Sequence, residues 1–109
     1  MKVYYYNSLS DEQVSPDAPE DMDGRAIMRL ASMILKEKDS FIGFVDSQGT
    51  NLQFYSDGID DIMLDIPAPE KNGSYQTKVD QKTAMGLILK LEEPFSALIA
   101  SRSLKLVPW

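Results

Sequence analysis

Phe41-Ile42-Gly43-Phe44-Val45-Asp46-Ser47-Gln48-Gly49-Thr50-Asn51-Leu52-Gln53-Phe54-Tyr55 holds two short runs rich in aromatic and β-branched residues, joined by the polar stretch Asp46 to Gly49. Such runs suit a pleated, half-buried surface, and a glycine in the connection can take the positive φ that a bulged hairpin turn requires. The segment predicts a hairpin with strands at Phe41–Val45 and Leu52–Tyr55. A second turn at Ser56-Asp57-Gly58 leads into Ile62-Met63-Leu64-Asp65-Ile66, where Ile62, Leu64 and Ile66 alternate with Met63 and Asp65 and so share one face of a strand. Pro67-Ala68-Pro69 ends that strand, because proline supplies no ladder donor, and Lys71-Asn72-Gly73-Ser74 turns the chain into a fourth strand at Tyr75–Val79.

Outward from this meander, Ile27, Leu30, Ala31, Ile34 and Leu35 lie at the spacing of an amphipathic helix, predicted from about Met22 to Lys38. Asp21 or Asp23 caps its start, and Lys36 and Lys38 suit the negative end of its dipole. Asp80 caps a second helix from about Gln81 to Leu91, with Ala84, Leu87, Ile88 and Leu91 on one face; Gly86 weakens it by about 1 kcal/mol relative to alanine. After Pro94, Phe95, Leu98 and Ile99 predict a short helix, and Leu104 and Leu106 a closing strand. At the other end, Val3-Tyr4-Tyr5-Tyr6 reads as a first strand at the sheet edge, where it offers a homodimer contact by pairing with its copy. Asn7 to Asp21 mixes Pro16 and Pro19 with Ser, Asp and Glu and predicts a mobile acidic loop. The sum is a single α+β domain over residues 1–109: an antiparallel meander of four to five strands with two helices packed on one face.

Composition limits the chemistry. The chain has no cysteine and no histidine, which removes disulfides, thiolate catalysis, the commonest general base and the commonest zinc ligand. No Gly-rich phosphate loop and no GxSxG elbow occurs, so no cofactor is expected. No apolar run approaches the roughly 20 residues that span a bilayer and the N-terminus has no signal-peptide pattern, so a cytoplasmic protein without a membrane partner is expected. Net charge is −6, and no Lys or Arg occurs between Lys38 and Lys71, a stretch that holds Asp46, Asp57, Asp60, Asp61, Asp65 and Glu70. Such a surface repels phosphate backbones and excludes a nucleic-acid partner, while it suits solubility or a cationic partner.

Three candidate sites follow. Asp57-Gly58-Ile59-Asp60-Asp61 offers clustered carboxylates, but its spacing is not that of an EF-hand loop, so turn structure is preferred over a metal site. Asp60, Asp61, Asp65, Glu92 and Glu93 are the carboxylates that acid–base catalysis without histidine would use; nothing places them in an apolar cleft, and no catalytic residue is assigned. Gln53, Tyr55, Asp57, Asp60 and Asp61 combine hydrogen-bonding, aromatic and negative groups on or near one hairpin, a mixture suited to a basic protein surface, and they are the candidate partner-binding residues.

The run Ser40 to Phe54, with its Asp46-x-x-Gly49 turn and following Leu52-Gln53, then Ile62–Ile66, Tyr75 and a closing helix, resembles small immunity proteins of bacterial polymorphic or contact-dependent toxin systems over residues 40–91. The resemblance implies a non-catalytic protein that binds a cognate toxin domain and neutralises it, its negative charge steering it to a basic groove. Gln53 occupies the Leu-Gln position of the pattern; no inhibitory residue carries over. The alternative is a structural or regulatory subunit of a bacterial complex, with a small carboxylate-based enzyme behind it.

Overall fold

In the computed structural model, which describes residues 1–109, the chain forms β1 (Lys2–Asn7), β2 (Glu12–Val14), β3 (Glu20–Asp21), α1 (Gly24–Ile34), β4 (Phe41–Val45), β5 (Asn51–Ser56), β6 (Ile62–Ala68), β7 (Gly73–Val79), α2 (Gln81–Leu89), α3 (Ala97–Ser101) and β8 (Lys105–Pro108). All strands join one antiparallel sheet in the order β2-β1-β4-β5-β6-β7-β8, with β3 also paired to β1. The α+β class and the meander from β4 to β7 are as expected, while the sheet is wider than four to five strands because the N-terminal and C-terminal segments extend it on both sides.

The register explains the layers. In the central hairpin Ile42 faces Phe54 and Phe44 faces Leu52, and in the next pair Phe54 faces Leu64. Strand periodicity of two then puts Val3, Ile42, Phe44, Leu52, Phe54, Ile62 and Leu64 on one face, all at 0% exposure. Ile27, Ala31 and Ile34 of α1, Ala84 and Ile88 of α2, and Phe95 cover that face and complete the core; Leu98 and Ile99 of α3 pack against it. Each buried aliphatic or aromatic side chain contributes roughly 1.5–3 kcal/mol, so this layer is the dominant stabilising element.

Both main helices start where their caps predict. The Ala26 N–H donates to Asp23 at 2.8 Å, and the Thr83 N–H donates to Asp80 at 2.7 Å. The first helix stops earlier than its periodicity suggests, at Ile34, and Lys36 and Lys38 lie beyond its last turn. Tertiary bonds take over there: the Ser56 hydroxyl donates to the Leu35 carbonyl at 2.9 Å, the Asp39 N–H donates to Ser56, and Asp39 turns the chain at φ +68°.

Two expectations are corrected. Residues 7–21 are not a structureless loop, since Glu12–Val14 and Glu20–Asp21 pair in register with β1, matching Tyr5 to Val14 and Val3 to Glu20. Polar composition predicts little apolar burial, but here backbone hydrogen bonds along a neighbouring strand supply the order. The same pairings remove the free edge expected at Val3–Tyr6: β1 is an inner strand, with β4 on its other side. Pairing of two copies through β1 is thereby closed, and the outer strands are β2, β3 and β8.

The Asp80 cap carries a pH signature. Hydrogen bonds from Thr83, through its hydroxyl and its N–H, hold the Asp80 carboxyl below the usual carboxylate range. A carboxyl depressed on folding stabilises the fold above its unfolded pKa of about 3.9, and that contribution disappears as pH falls through the lower folded value. Asp80→Ala is therefore expected to lower the urea midpoint at pH 7, with the gap to wild type narrowing as both are acidified toward pH 3. A gap that stays constant across that range would refute an ionised cap.

Candidate functional site on the open face of the sheet

The helices leave the second face of the sheet uncovered. Alternation and register place Tyr4 and Tyr6 of β1, Phe41 and Gly43 of β4, Gln53 and Tyr55 of β5, Met63 and Asp65 of β6, and Gln76 and Lys78 of β7 on this face. At one end the aromatic rings form a row: Tyr6 to Phe41 at 6.1 Å, Phe41 stacked on Tyr55 at 6.3 Å with 11° between planes, and Tyr4 edge-on to Phe41 at 6.3 Å. Offset and edge contacts of this kind fix ring positions, so the row is rigid although Tyr55 is 45% exposed. Acidic groups flank it. The Tyr6 hydroxyl donates to Asp11 at 3.0 Å, which together with the charge of Asp11 raises the phenol above its ordinary pKa, and the Asp39 carboxylate lies 3.5 Å from the Tyr55 hydroxyl.

Beside the row, Asp65 sits between two glutamines on neighbouring strands. Gln53 donates to it at 3.2 Å and Gln76 at 2.7 Å, and these three residues with Tyr55 and Met63 line a depression of about 360 Å³. Tyr4 lies flat across Gly43 toward this depression at 2% exposure. Burial first, and then the charge of Asp65, push its phenol well above the ordinary tyrosine range, so it remains a neutral hydroxyl. The two lysines at the rim of the sheet whose ammonium groups reach carboxylates are Lys2, 3.1 Å from Asp21, and Lys78, 3.3 Å from Asp61.

The five residues predicted as partner-binding are divided by the structure. Gln53 and Tyr55 stand on the open face, and Asp61 reaches its rim through Lys78. Asp57 and Asp60 have local duties. Asp57 accepts from the Ile59 N–H at 2.9 Å and the Asp61 N–H at 3.3 Å, closing the β5–β6 turn, while Asp60 accepts from the Gln81 N–H at 2.7 Å at the start of α2, on the helix side of the sheet. No three acidic side chains converge closely enough to hold a metal ion. Tyr4, Phe41, Asp65 and Gln76 were absent from the expected set; the odd-numbered alternation of β4 to β6 carries the first part of that signal, but only the register between strands brings Gln76 and Tyr4 to Asp65.

No protein-family model matches the chain, and no curated protein and no solved structure is significantly similar to it. Besides the open face, the surface carries two larger grooves. The largest groove, about 610 Å³ between α2 and α3, sets Lys82, Lys90 and Arg102 against Glu92 and Glu93, so its charges offset one another. A second, of about 380 Å³, is apolar and lined by Met1, Met22, Met28 and Leu89 among others. No helix is long and apolar enough to cross a membrane.

Proposed function

We propose that this protein is a non-catalytic, acidic protein-binding module, acting in the bacterial cytoplasm as the immunity partner of a toxin domain, and that it binds through the open face of its sheet. The observation that carries the proposal is a sheet face free of helices on which a rigid aromatic row stands beside Asp65 and is flanked by Asp11, Asp39 and Asp61. Aromatic anchors surrounded by charge are the usual make-up of a tight interface: the rings supply desolvated contact area, and the carboxylates speed encounter with a cationic surface. A toxin that acts on nucleic acid presents such a surface in its substrate groove. The absence of histidine and cysteine, and the use of Asp57 and Asp60 in turn and cap, support a role without catalysis.

The test is capture of partners by the tagged chain at low and moderate salt, followed by co-expression with the toxic reading frame encoded beside it. A single basic partner is expected, with rescue of growth, and Tyr55→Ala should weaken binding by roughly 30-fold, as loss of an interface anchor does. Asp61→Lys should slow association and reduce its salt dependence. Binding indifferent to both substitutions would refute the open face as the interface. A stable, large host assembly would instead establish the subunit role, which the apolar groove at Met22 and Met28 favours.

A further inference from the structure

The depression on the open face is unusual in what it offers a ligand. An ionised carboxylate accepts hydrogen bonds only, so Gln53 and Gln76 must each turn their amide N–H₂ toward Asp65. Both amide oxygens are thereby left pointing away from it, and neither accepts a hydrogen bond from any protein donor. One amide donor on each Asp65 oxygen fills about two of its roughly four lone-pair sites. The Tyr4 ring, 2% exposed, lies over Gly43, the residue paired with Gln53, and its hydroxyl has no hydrogen-bond partner in the protein. Asp65 is in none of the ion pairs of the chain, which join Met1 and Lys2 to Asp21 and Lys78 to Asp61. Apart from the Tyr4 hydroxyl, which can donate as well as accept, the polar groups with unfilled capacity are acceptors, one carries a full charge, and the walls are the exposed Tyr55 ring and the Met63 thioether.

We infer that this depression is the receptor for one arginine side chain presented by a protein partner. The inference rests on the open face being the binding face, and it names the chemical group recognised there. Guanidinium is planar, always charged, and carries only donors, five of them, in a fixed fork. Two of those donors, parallel and matched to the two oxygens of Asp65, suit that carboxylate better than an ammonium, whose three donors radiate from one point. Its flat face suits the Tyr55 ring, and its methylene stem suits Met63. Charge complementarity selects the source. The chain carries −6 overall, so a blocked arginine within a basic polypeptide is attracted, whereas the α-carboxylate of free arginine is repelled. Lys105, opposite Gln76 on β8 and exposed, is the one cation on the neighbouring strand and opposes a second one.

The experiment uses the full chain labelled with ¹⁵N and follows the side-chain amide resonances of Gln53 and Gln76 during titration with N-acetyl-arginine methylamide. Saturable shifts of both are expected, with a dissociation constant on the order of millimolar for a single side chain. The lysine analogue should bind several-fold more weakly, and the citrulline analogue, equal in shape but uncharged, should give no shift. Asp65→Asn and Tyr55→Ala should each abolish or sharply reduce the shifts with the backbone spectrum intact, and Lys105→Ala should tighten binding. Equal shifts from the citrulline analogue, or no saturation by the arginine analogue up to about 100 mM, would overturn the inference. Free arginine binding as tightly as the blocked form would overturn the assignment to a protein-borne group. Since the probe needs no toxin, arginine binding without rescue sinks only the immunity role, and rescue without arginine binding sinks only the receptor.

Discussion

Asp46→Ala is expected to destabilise the protein by about 3 kcal/mol, the cost of stranding several backbone donors that one buried carboxylate satisfies. The Asp46 side chain, 7% exposed, accepts from the Gln48 N–H at 3.0 Å and the Thr50 N–H at 2.8 Å with one oxygen, and from the Phe95 N–H at 3.0 Å with the other. The first two bonds close the β4–β5 turn. The third fastens the segment after Pro94 to that turn, and Phe95 is itself a fully buried member of the core. A loss of this size is a large share of the roughly 5–15 kcal/mol that stabilises a domain, and corresponds to a fall in Tm of roughly 10–20 °C for a chain of this length. Asp46→Asn should recover only part of the loss: its amide oxygen still serves Gln48 and Thr50, but its N–H₂ meets the Phe95 N–H donor to donor. Chemical denaturation of the three proteins at neutral pH measures the difference. An alanine variant within about 0.5 kcal/mol of wild type would show that the C-terminal segment docks independently of Asp46.

Gly43→Ala is expected to cost about 2 kcal/mol although a methyl group ordinarily suits a strand better than hydrogen. A Cβ at position 43 would lie 2.0 Å from Tyr4 Cζ and 2.5 Å from its hydroxyl oxygen, so the ring must leave the shelf it occupies. Tyr4 then loses its burial and its edge contact with Phe41. The double variant discriminates this cause from any other. In a Tyr4→Ala background the same substitution should be close to neutral, giving a coupling of about 2 kcal/mol in the double-mutant cycle. An undiminished cost in that background would place the strain in the backbone of β4 rather than under the ring.

Much of the architecture is legible in residue order because it depends on neighbours. The D-x-x-G turn, the alternation of Ile62, Leu64 and Ile66, the Asp23 and Asp80 caps, and the short helix and strand after Pro94 are each set within a few residues, and each is where local chemistry puts it. The departures have one origin. Helix α1 ends at Ile34 because Ser56, far along the chain, takes the Leu35 carbonyl, and Glu12–Val14 is a strand because β1 offers it backbone partners. Composition registers neither bond.

The candidate site divides in the same way. Periodicity alone puts Gln53 and Tyr55 on a face of β5, and charge alone raises the expectation of a cationic partner rather than nucleic acid. Which carboxylates are available to a partner is a tertiary matter: Asp60 is spent on the N–H of Gln81 at the start of α2, Asp57 on its own turn, and Asp65 is drawn into the site by glutamines from the strands on either side. Local sequence selects the conformation of each segment because the energies involved act over a turn of helix or a pair of strand residues. The choice of strand neighbours, and with it the joining of Tyr4, Gln53, Asp65 and Gln76, depends on satisfying backbone groups and burying one face across the whole sheet, and is made only when the chain closes on itself.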